Sequence, residues 1–182
     1  VFNISDFKSA LRYGGARGSH FQVQITNPAN PVADLQLPLL CFASSLPAWN
    51  VQELQVFHAG RAVKLAGNRQ FNDWTVAVYN DEDFKIRNAL EQWSNQINAV
   101  EQNIRLFGGS EPSLYKSSAD VVQFSQTGTT LRTYKIVGIW PVAISDIQLN
   151  WQNEEVQTFQ VQFAVDYIYV DSSITSDFAG GR

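Results

Sequence analysis

Hydrophobic and polar residues alternate along much of this chain with a period of two, the mark of strands with one buried face. Phe21, Val23 and Ile25 alternate with Gln22, Gln24 and Thr26, and Asn27-Pro28 stops the run. A second strand is expected over 35–43, placed at an edge or a bulge by Pro38 and broken by Leu46-Pro47. Residues 51–66 read as a hairpin. Leu54 and Val56 alternate on one arm, Val63 and Leu65 on the other, and Ala59-Gly60-Arg61 forms the turn. Trp74, Val76 and Val78 alternate with Thr75, Ala77 and Tyr79 in a further strand. Strands are also expected at 121–126 and 133–140, the latter ended by Pro141. Segments 144–151 and 156–169 look like a hairpin closed by Asn153-Glu154, with Phe159, Val161, Phe163 and Val165 sharing one face.

Helical spacing appears twice. Ser5-Asp6 can cap a short helix carrying Phe7, Ala10 and Leu11 and ending at Gly14-Gly15. The stronger signal is a stripe of Ile86, Leu90, Trp93, Ile97, Val100 and Ile104, which predicts one long helix over about 81–107. Asp81, Glu82 and Asp83 are then placed in its first turn, where the helix dipole favours negative charge, and Gly108-Gly109 ends it. The fold class is α+β, mostly β: a two-sheet β-sandwich or small barrel with one long flanking helix. No repeat or linker divides the chain, so 1–182 reads as a single domain. An N-terminal arm over 1–17 holds the short helix, and a polar tail over 171–182 is expected to be flexible.

Composition narrows the function. The 182 residues carry 13 basic and 17 acidic side chains, a formal charge of −4, which gives no basic excess for gripping phosphates. Only 16% of residues are charged while 13% are aromatic, so the chain is not of the disordered class. Gln, Asn, Ser and Thr replace the missing charge, a surface suited to lying against partners, because burying charge at an interface is costly. A single cysteine, Cys41 within an apolar run, excludes an internal disulfide and reads as a buried thiol. The longest apolar run is far short of the roughly 18 residues needed to span a bilayer, and the first residues lack signal-peptide character. A cytoplasmic site of synthesis and residence is expected. With no methionine in the chain, Val1 is expected to follow a removed initiator or a trimmed end.

Candidate chemistry is sparse. His20 and His58 have no neighbours at metal-ligand spacing, and one cysteine cannot complete a zinc site. No Gly-x-Ser-x-Gly elbow is present, and Gly14-Gly15-Ala16-Arg17-Gly18 lacks the Lys-Ser/Thr of a phosphate cradle. Neither an enzyme nor a cofactor is expected. Trp49 or Trp151 could stack on sugars if exposed, whereas alternation sends Trp74 and Trp140 to the core.

One stretch is more specific. Ala66-Gly67-Asn68-Arg69-Gln70-Phe71-Asn72-Asp73-Trp74-Thr75-Val76, followed by Tyr79-Asn80-Asp81-Glu82, resembles the tail tube family of long-contractile-tail bacteriophages. Further matches are Gly138-Ile139-Trp140-Pro141, then Gln148-Leu149-Asn150-Trp151. Glu155-Val156-Gln157-Thr158-Phe159-Gln160-Val161 follows, running on to Asp166-Tyr167. Ala16-Arg17 before Phe21-Gln22-Val23, and the Leu46-Pro47 break, also fit. The chain departs from the pattern at Asn68, where the family has an acidic residue, and at Gly18, where proline is common.

The resemblance implies a structural virion protein rather than an enzyme. Its subunits would form six-membered rings stacked into a hollow tube, with inner strands of neighbours joined into one barrel. The implied partners are further copies of the chain, a tail sheath protein, and baseplate and tube-terminating proteins. Genomic DNA would pass through the lumen without specific binding, so a neutral or negative bore is expected. The implied location is the virion tail, assembled in the host bacterial cytoplasm. Within that frame the 45–70 segment is expected to be an assembly arm, with Trp49, Val51, Leu54, Val56, Phe57, Arg61, Val63 and Arg69 at the interface. An ordinary hairpin packed on its own domain is the alternative. Two other readings of the whole chain stay open: the tube of a phage-derived injection or secretion particle, with a tube-initiating baseplate protein as a close variant, and a carbohydrate-binding β-sandwich module.

Overall fold

The computed structural model describes residues 3–11, 15–31, 34–105, 111–152 and 154–171. The expected stops at Gly14 and Gly108-Gly109, together with Phe107, Asn153 and the tail from 172 on, lie outside these residues.

The chain is mostly β. In chain order the elements are α1 (Ile4–Ala10), β1 (Phe21–Ile25), α2 (Leu37–Leu40), β2 (Cys41–Ser45), β3 (Trp49–His58), β4 (Arg61–Phe71) and β5 (Trp74–Tyr79). They continue with α3 (Lys85–Ile97), a 3-10 turn at Pro112–Leu114, β6 (Ser117–Phe124), β7 (Thr130–Ile144), β8 (Thr158–Ala164) and β9 (Tyr167–Val170). Seven strands form one sheet in the order β1-β6-β7-β8-β5-β2, with β9 also on β7; β3 and β4 pair only with each other.

The 15-residue β7 makes this sheet a sandwich because it changes partners along its length. Its first half pairs with β6 and β9, its last residues with β8. The change falls at Gly138, whose φ of +73° suits glycine, and a Cβ there would collide with the Asp166 carboxylate. Lys116 Nζ holds that carboxylate through both oxygens at 2.7 Å. Pro141 does not end the strand, since it lies at a register shift where no regular ladder donor is demanded of it.

Val23, Ile25, Ala119, Val121 and Ile136 from one layer meet Trp74, Val76, Val78, Phe159, Val161 and Phe163 from the other in a single core. Every one of these positions lies on the inward face that strand alternation assigns it. Ile86, Ala89, Leu90 and Trp93 of α3 complete the core. Trp93 lies 6.1 Å from the Phe163 ring and donates its indole N–H to the Tyr115 carbonyl at 2.8 Å. Buried Asn27 ties the end of β1 to the helix by donating to the Ala89 carbonyl at 3.1 Å.

Several elements differ from the sequence reading. The long helix is shorter than 81–107: it starts at Lys85, behind Phe84 in a left-handed conformation, and stops at Ile97. Asp81, Glu82 and Asp83 therefore precede the helix. Val100 and Ile104 leave the apolar stripe and are exposed, and Ile97 is half-buried. The Asn95 side chain helps end the helix by competing for the backbone. Asn95 accepts the Val100 N–H, and Asn98 bonds Asn103, whose φ is +50°. The expected strand over 35–43 begins instead as the helical turn α2, with Pro38 in the first turn where its missing N–H costs nothing. Asn3, not Ser5-Asp6, caps α1 by accepting the Ser5 N–H at 3.1 Å. Residues 145–152 and 154–157 form a loop rather than a hairpin arm, and 156–169 divides into β8 and β9, which lie in different layers.

Candidate assembly interface

The hairpin β3–β4 is built by local chemistry. Ala59 and Gly60 both have positive φ, +48° and +78°, which closes a two-residue turn with His58 opposite Arg61. From there Val56 faces Val63 and Leu54 faces Leu65, so these four aliphatics share one face. Phe57, Gln55 and Glu53 face Ala62, Lys64 and Ala66 on the other. Lys64 pairs with Glu53 at 3.0 Å, and Gln55 donates to Glu53 at 2.9 Å. These two bonds, Gln55 first, hold the Glu53 carboxyl below its ordinary pKa.

A bulge then changes the alternation. Val51 pairs with Arg69 while Glu53 pairs with Ala66, so Gly67 and Asn68 together oppose Gln52. A Cβ on Gly67 would come within 2.9 Å of the Gln52 carbonyl, so only glycine allows this approach. The bulge moves Arg69 and Phe71 onto the face of Val51 and Trp49. At the base, the Asn72 N–H bonds the Ala48 carbonyl at 2.9 Å and carries the ribbon into β5.

The structure places Trp49, Val51, Leu54, Val56, Phe57, Arg61, Val63 and Arg69 together on this ribbon. It adds Leu65, whose pairing with Leu54 the alternation of Val63 and Leu65 already signalled. The seven apolar side chains are each between 49% and 72% exposed, and none belongs to the core. A face of aliphatic residues left half in water is a surface for covering, not for catalysis. Trp49 lies at the hairpin base and Trp151 in the connection between β7 and β8, and both are exposed.

The two sandwich layers also differ on their outward faces. Across β2, β5, β8 and the end of β7, register puts Ala43 beside Ala77, Ser45 beside Thr75, Ala77 beside Gln160, and Gln162 beside Thr75 and Ala143. This face is mostly small and polar and carries no cation: Tyr79, with Phe42 against it, lies at one end and the Asp73 carboxylate, which accepts from Gln162 at 2.9 Å, at the other. The other layer carries charge outward: Asp120 faces Lys135, and Lys135 pairs with Asp171 at 3.4 Å. Cys41, at the start of β2, is half-buried and its thiol is pushed up to about 11 by that burial, so it is no nucleophile. Among the described residues no group of three His, Cys, Asp or Glu could hold a metal ion, and no helix is long and apolar enough to cross a membrane.

Comparison with known proteins converges on one family. The Phage tail tube protein family matches residues 16–170. Tail tube protein gp19 of Enterobacteria phage T4 is 36% identical over 167 residues, covering 90% of this chain and 98% of that protein. The same protein of Enterobacteria phage T6 matches equally well, at 36% over the same lengths. The fold recurs in the tube-terminating cap of the anti-feeding prophage, with a TM-score of 0.63, 15% identity, and 86% of this chain and 90% of that one covered. It recurs in the sheath–tube complex of the extracellular contractile injection system PVC, with a TM-score of 0.60, 13% identity, and 94% and 99% covered. On the family match and the 36% identity, the chain belongs to the phage tail tube protein family.

Proposed function

We propose that six copies of this chain form a ring and that the rings stack into the hollow inner tube of a contractile phage tail, a conduit for the genome into the host. The observation that carries this is the β3–β4 hairpin, an apolar ribbon that its own domain leaves uncovered. A two-stranded ribbon is marginal in water and gains stability only from an additional surface. Identical neighbours supply that surface, so the hairpin is the assembly arm.

The cation-free face of β2, β5, β8 and the end of β7 lines the bore. A basic lining would release counterions and hold the passing DNA in a salt-dependent grip, which a face of Ala, Ser, Thr and Gln avoids. Strand β2 ends the sheet, and pairing its edge with the next subunit removes an aggregation-prone edge. The sheath surrounds the tube, while baseplate and terminating proteins cap its ends; assembly takes place in the host cytoplasm. Identity of 36% to a phage tube protein, against 13–15% to the injection-particle chains, supports the genome-carrying reading over a secretion tube.

The test is negative-stain microscopy with sedimentation of the purified protein across concentration. Tubes about one subunit ring wide are expected from the intact chain, and only folded monomers from a chain lacking residues 49–60. Monomers at every concentration and salt, even with a preformed tube end as nucleus, overturn the proposal.

A further inference from the structure

Two motifs of the sequence, Gly138-Ile139-Trp140-Pro141 and Asp166-Tyr167, meet at one corner of the sandwich. Along β7, Val137 faces Tyr167 of β9 and Trp140 faces Ala164 of β8. One antiparallel register therefore runs through both pairings and sets Gly138 opposite Asp166. The two layers are thus joined by a single ribbon, β7 against β8 and β9, bent where these two residues meet. On the other side of β7, Ser118 faces Val137 and Ser117 faces Ile139, so Gly138 is the extra residue of a bulge that bends the strand.

The bend is held from several sides. The Asp166 N–H bonds the Val137 carbonyl at 3.1 Å, and the Asp166 carboxylate lies over the Gly138 Cα, in the space a Cβ would need. Lys116, one residue before β6, grips that carboxylate through both oxygens at 2.7 Å. Its neighbour Tyr115 accepts the Trp93 indole N–H at 2.8 Å and sets its ring edge-on to Trp140 at 6.2 Å. Residues 115–116 thereby connect α3, the β8-paired half of β7 and the bend. Yet the Lys116 and Asp166 side chains are 28% and 46% exposed, and an ion pair so open to water adds little to folding stability. What it fixes is the geometry of the corner.

Resting on the reading of the chain as a ring-forming subunit, we infer that Lys116 and Asp166 are a latch on this bend, holding the angle between the layers at the value that lets the ring close. Asp166 lies seven residues from Phe159, which faces Val78, which faces Cys41 on β2, the last strand of the sheet. Seven residues are about 23 Å of strand. A change of about 10° at the bend moves β2 by roughly 4 Å, close to one strand spacing and beyond what a hydrogen-bonded ladder tolerates. Copies joined through a displaced edge meet at a different rotation, and a rotation that does not close gives open filaments in place of rings.

Lys116→Gln and Asp166→Asn in the full chain each remove one half of the pair without adding bulk. Both are expected to melt close to wild type by circular dichroism. In the free subunit, amides at 137–140 and 164–167 should exchange at least tenfold faster in either variant, while those of α3 keep their wild-type rates. In negative stain, wild type is expected to give rings of one size, and the variants open arcs and rings of mixed size at a threshold about tenfold higher. The double variant should be no worse than either single, because both remove the same bond. Lys116→Arg keeps the cation and should assemble within about threefold of wild type. Unchanged exchange at the bend overturns the latch, as does a double variant whose loss is the product of the two singles, or Lys116→Arg behaving like Lys116→Gln. A fall in melting in both singles as large as that of a core substitution overturns it too, since the pair would then be an ordinary stability element. If wild type forms rings and both variants form the same rings at the same threshold, the proposed function stands and this inference falls. If wild type forms none, the ring reading falls and the closure claim with it, and exchange at the bend alone decides whether the latch exists.

Discussion

Val56→Asp isolates assembly from folding. Val56 faces Val63 in the middle of the hairpin's aliphatic face, and neither belongs to the core. Leu54, Val56, Val63 and Leu65 are each about half exposed, 49–56%, in the free subunit. Fully burying such a side chain contributes about 1.5–3 kcal/mol, so covering the exposed half of four contributes roughly 3–6 kcal/mol per docked hairpin. That is about two to four orders of magnitude in association constant. Aspartate removes Val56's share, about 1 kcal/mol, and adds a carboxylate whose desolvation under a partner costs several kcal/mol more. Val56→Ala removes only the apolar share and should weaken assembly about fivefold.

The assay is sedimentation velocity over a concentration series, with the melting temperature followed by circular dichroism. Val56→Asp should raise the assembly threshold more than about 100-fold while leaving the melting temperature within the shift of about 0.5 kcal/mol expected of a surface change. Assembly of the aspartate variant at the wild-type threshold refutes the idea that this face is covered in the tube. A fall in melting temperature as large as that of a core substitution refutes the separation of hairpin from core.

Other outcomes can be checked on the free subunit. Trp93→Ala removes a fully buried indole and leaves the Tyr115 carbonyl without its donor; a loss of about 4–6 kcal/mol is expected in denaturant titration, with Trp93→Phe distinctly milder. Gly138→Ala forces a side chain into a left-handed position against Asp166 and should cost about 2–4 kcal/mol, read the same way. Ala59→Gly relieves the positive φ at the turn and should stabilise the hairpin by about 1 kcal/mol, seen as slower amide exchange over 51–65. Burial raises the Cys41 thiol from its ordinary value near 9 to about 11, which cuts its thiolate fraction at pH 8 about 100-fold; thiol labelling should be correspondingly slow in the native protein and fast in denaturant. Because the folded pKa is the higher one, the stability linked to this thiol is complete below pH 9 and is lost between about pH 9 and 11, an effect that Cys41→Ala should abolish.

The strands with strict alternation were legible because period two is the geometry of a half-buried strand. Phe159, Val161 and Phe163 face the core, and Trp74, Val76 and Val78 lie opposite them. The hairpin was legible from its turn and its paired aliphatics. Elsewhere the same pattern permitted two structures. Leu37-Pro38-Leu39-Leu40 is apolar enough for a strand, yet proline in a first turn serves a helix equally well. Val100 and Ile104 keep helical spacing with the core stripe, but periodicity ignores Asn95, whose side chain takes the Val100 N–H, and the Asn98–Asn103 side-chain bond that follows. The apolar residues of 145–157 looked like a strand because nothing local reveals that no partner strand awaits them. Asp81, Glu82 and Asp83 read locally as a helix start, but the left-handed Phe84 delays the helix to Lys85.

A free subunit of such a tube faces a specific hazard. It must expose an apolar ribbon for its neighbours, yet exposed ribbons with apolar faces pair edge to edge and aggregate. The hairpin counters this with its own residues. Arg61 and Arg69 put charge at the tip and near the base, and Lys64 with Glu53 puts a charged pair on the face opposite the aliphatics. The Gly67 bulge interrupts the flat ladder that an intruding strand would need. Each device weakens random pairing without removing the aliphatic face, because the charges occupy the tip, the base and the other side. Neutralising Arg61 and Arg69 should therefore produce irregular aggregates rather than simply fewer tubes. Arg61→Ala with Arg69→Ala, viewed by negative stain at the concentration where wild type forms tubes, should show amorphous material. Well-formed tubes from that variant would mean that the arginines do not guard the ribbon.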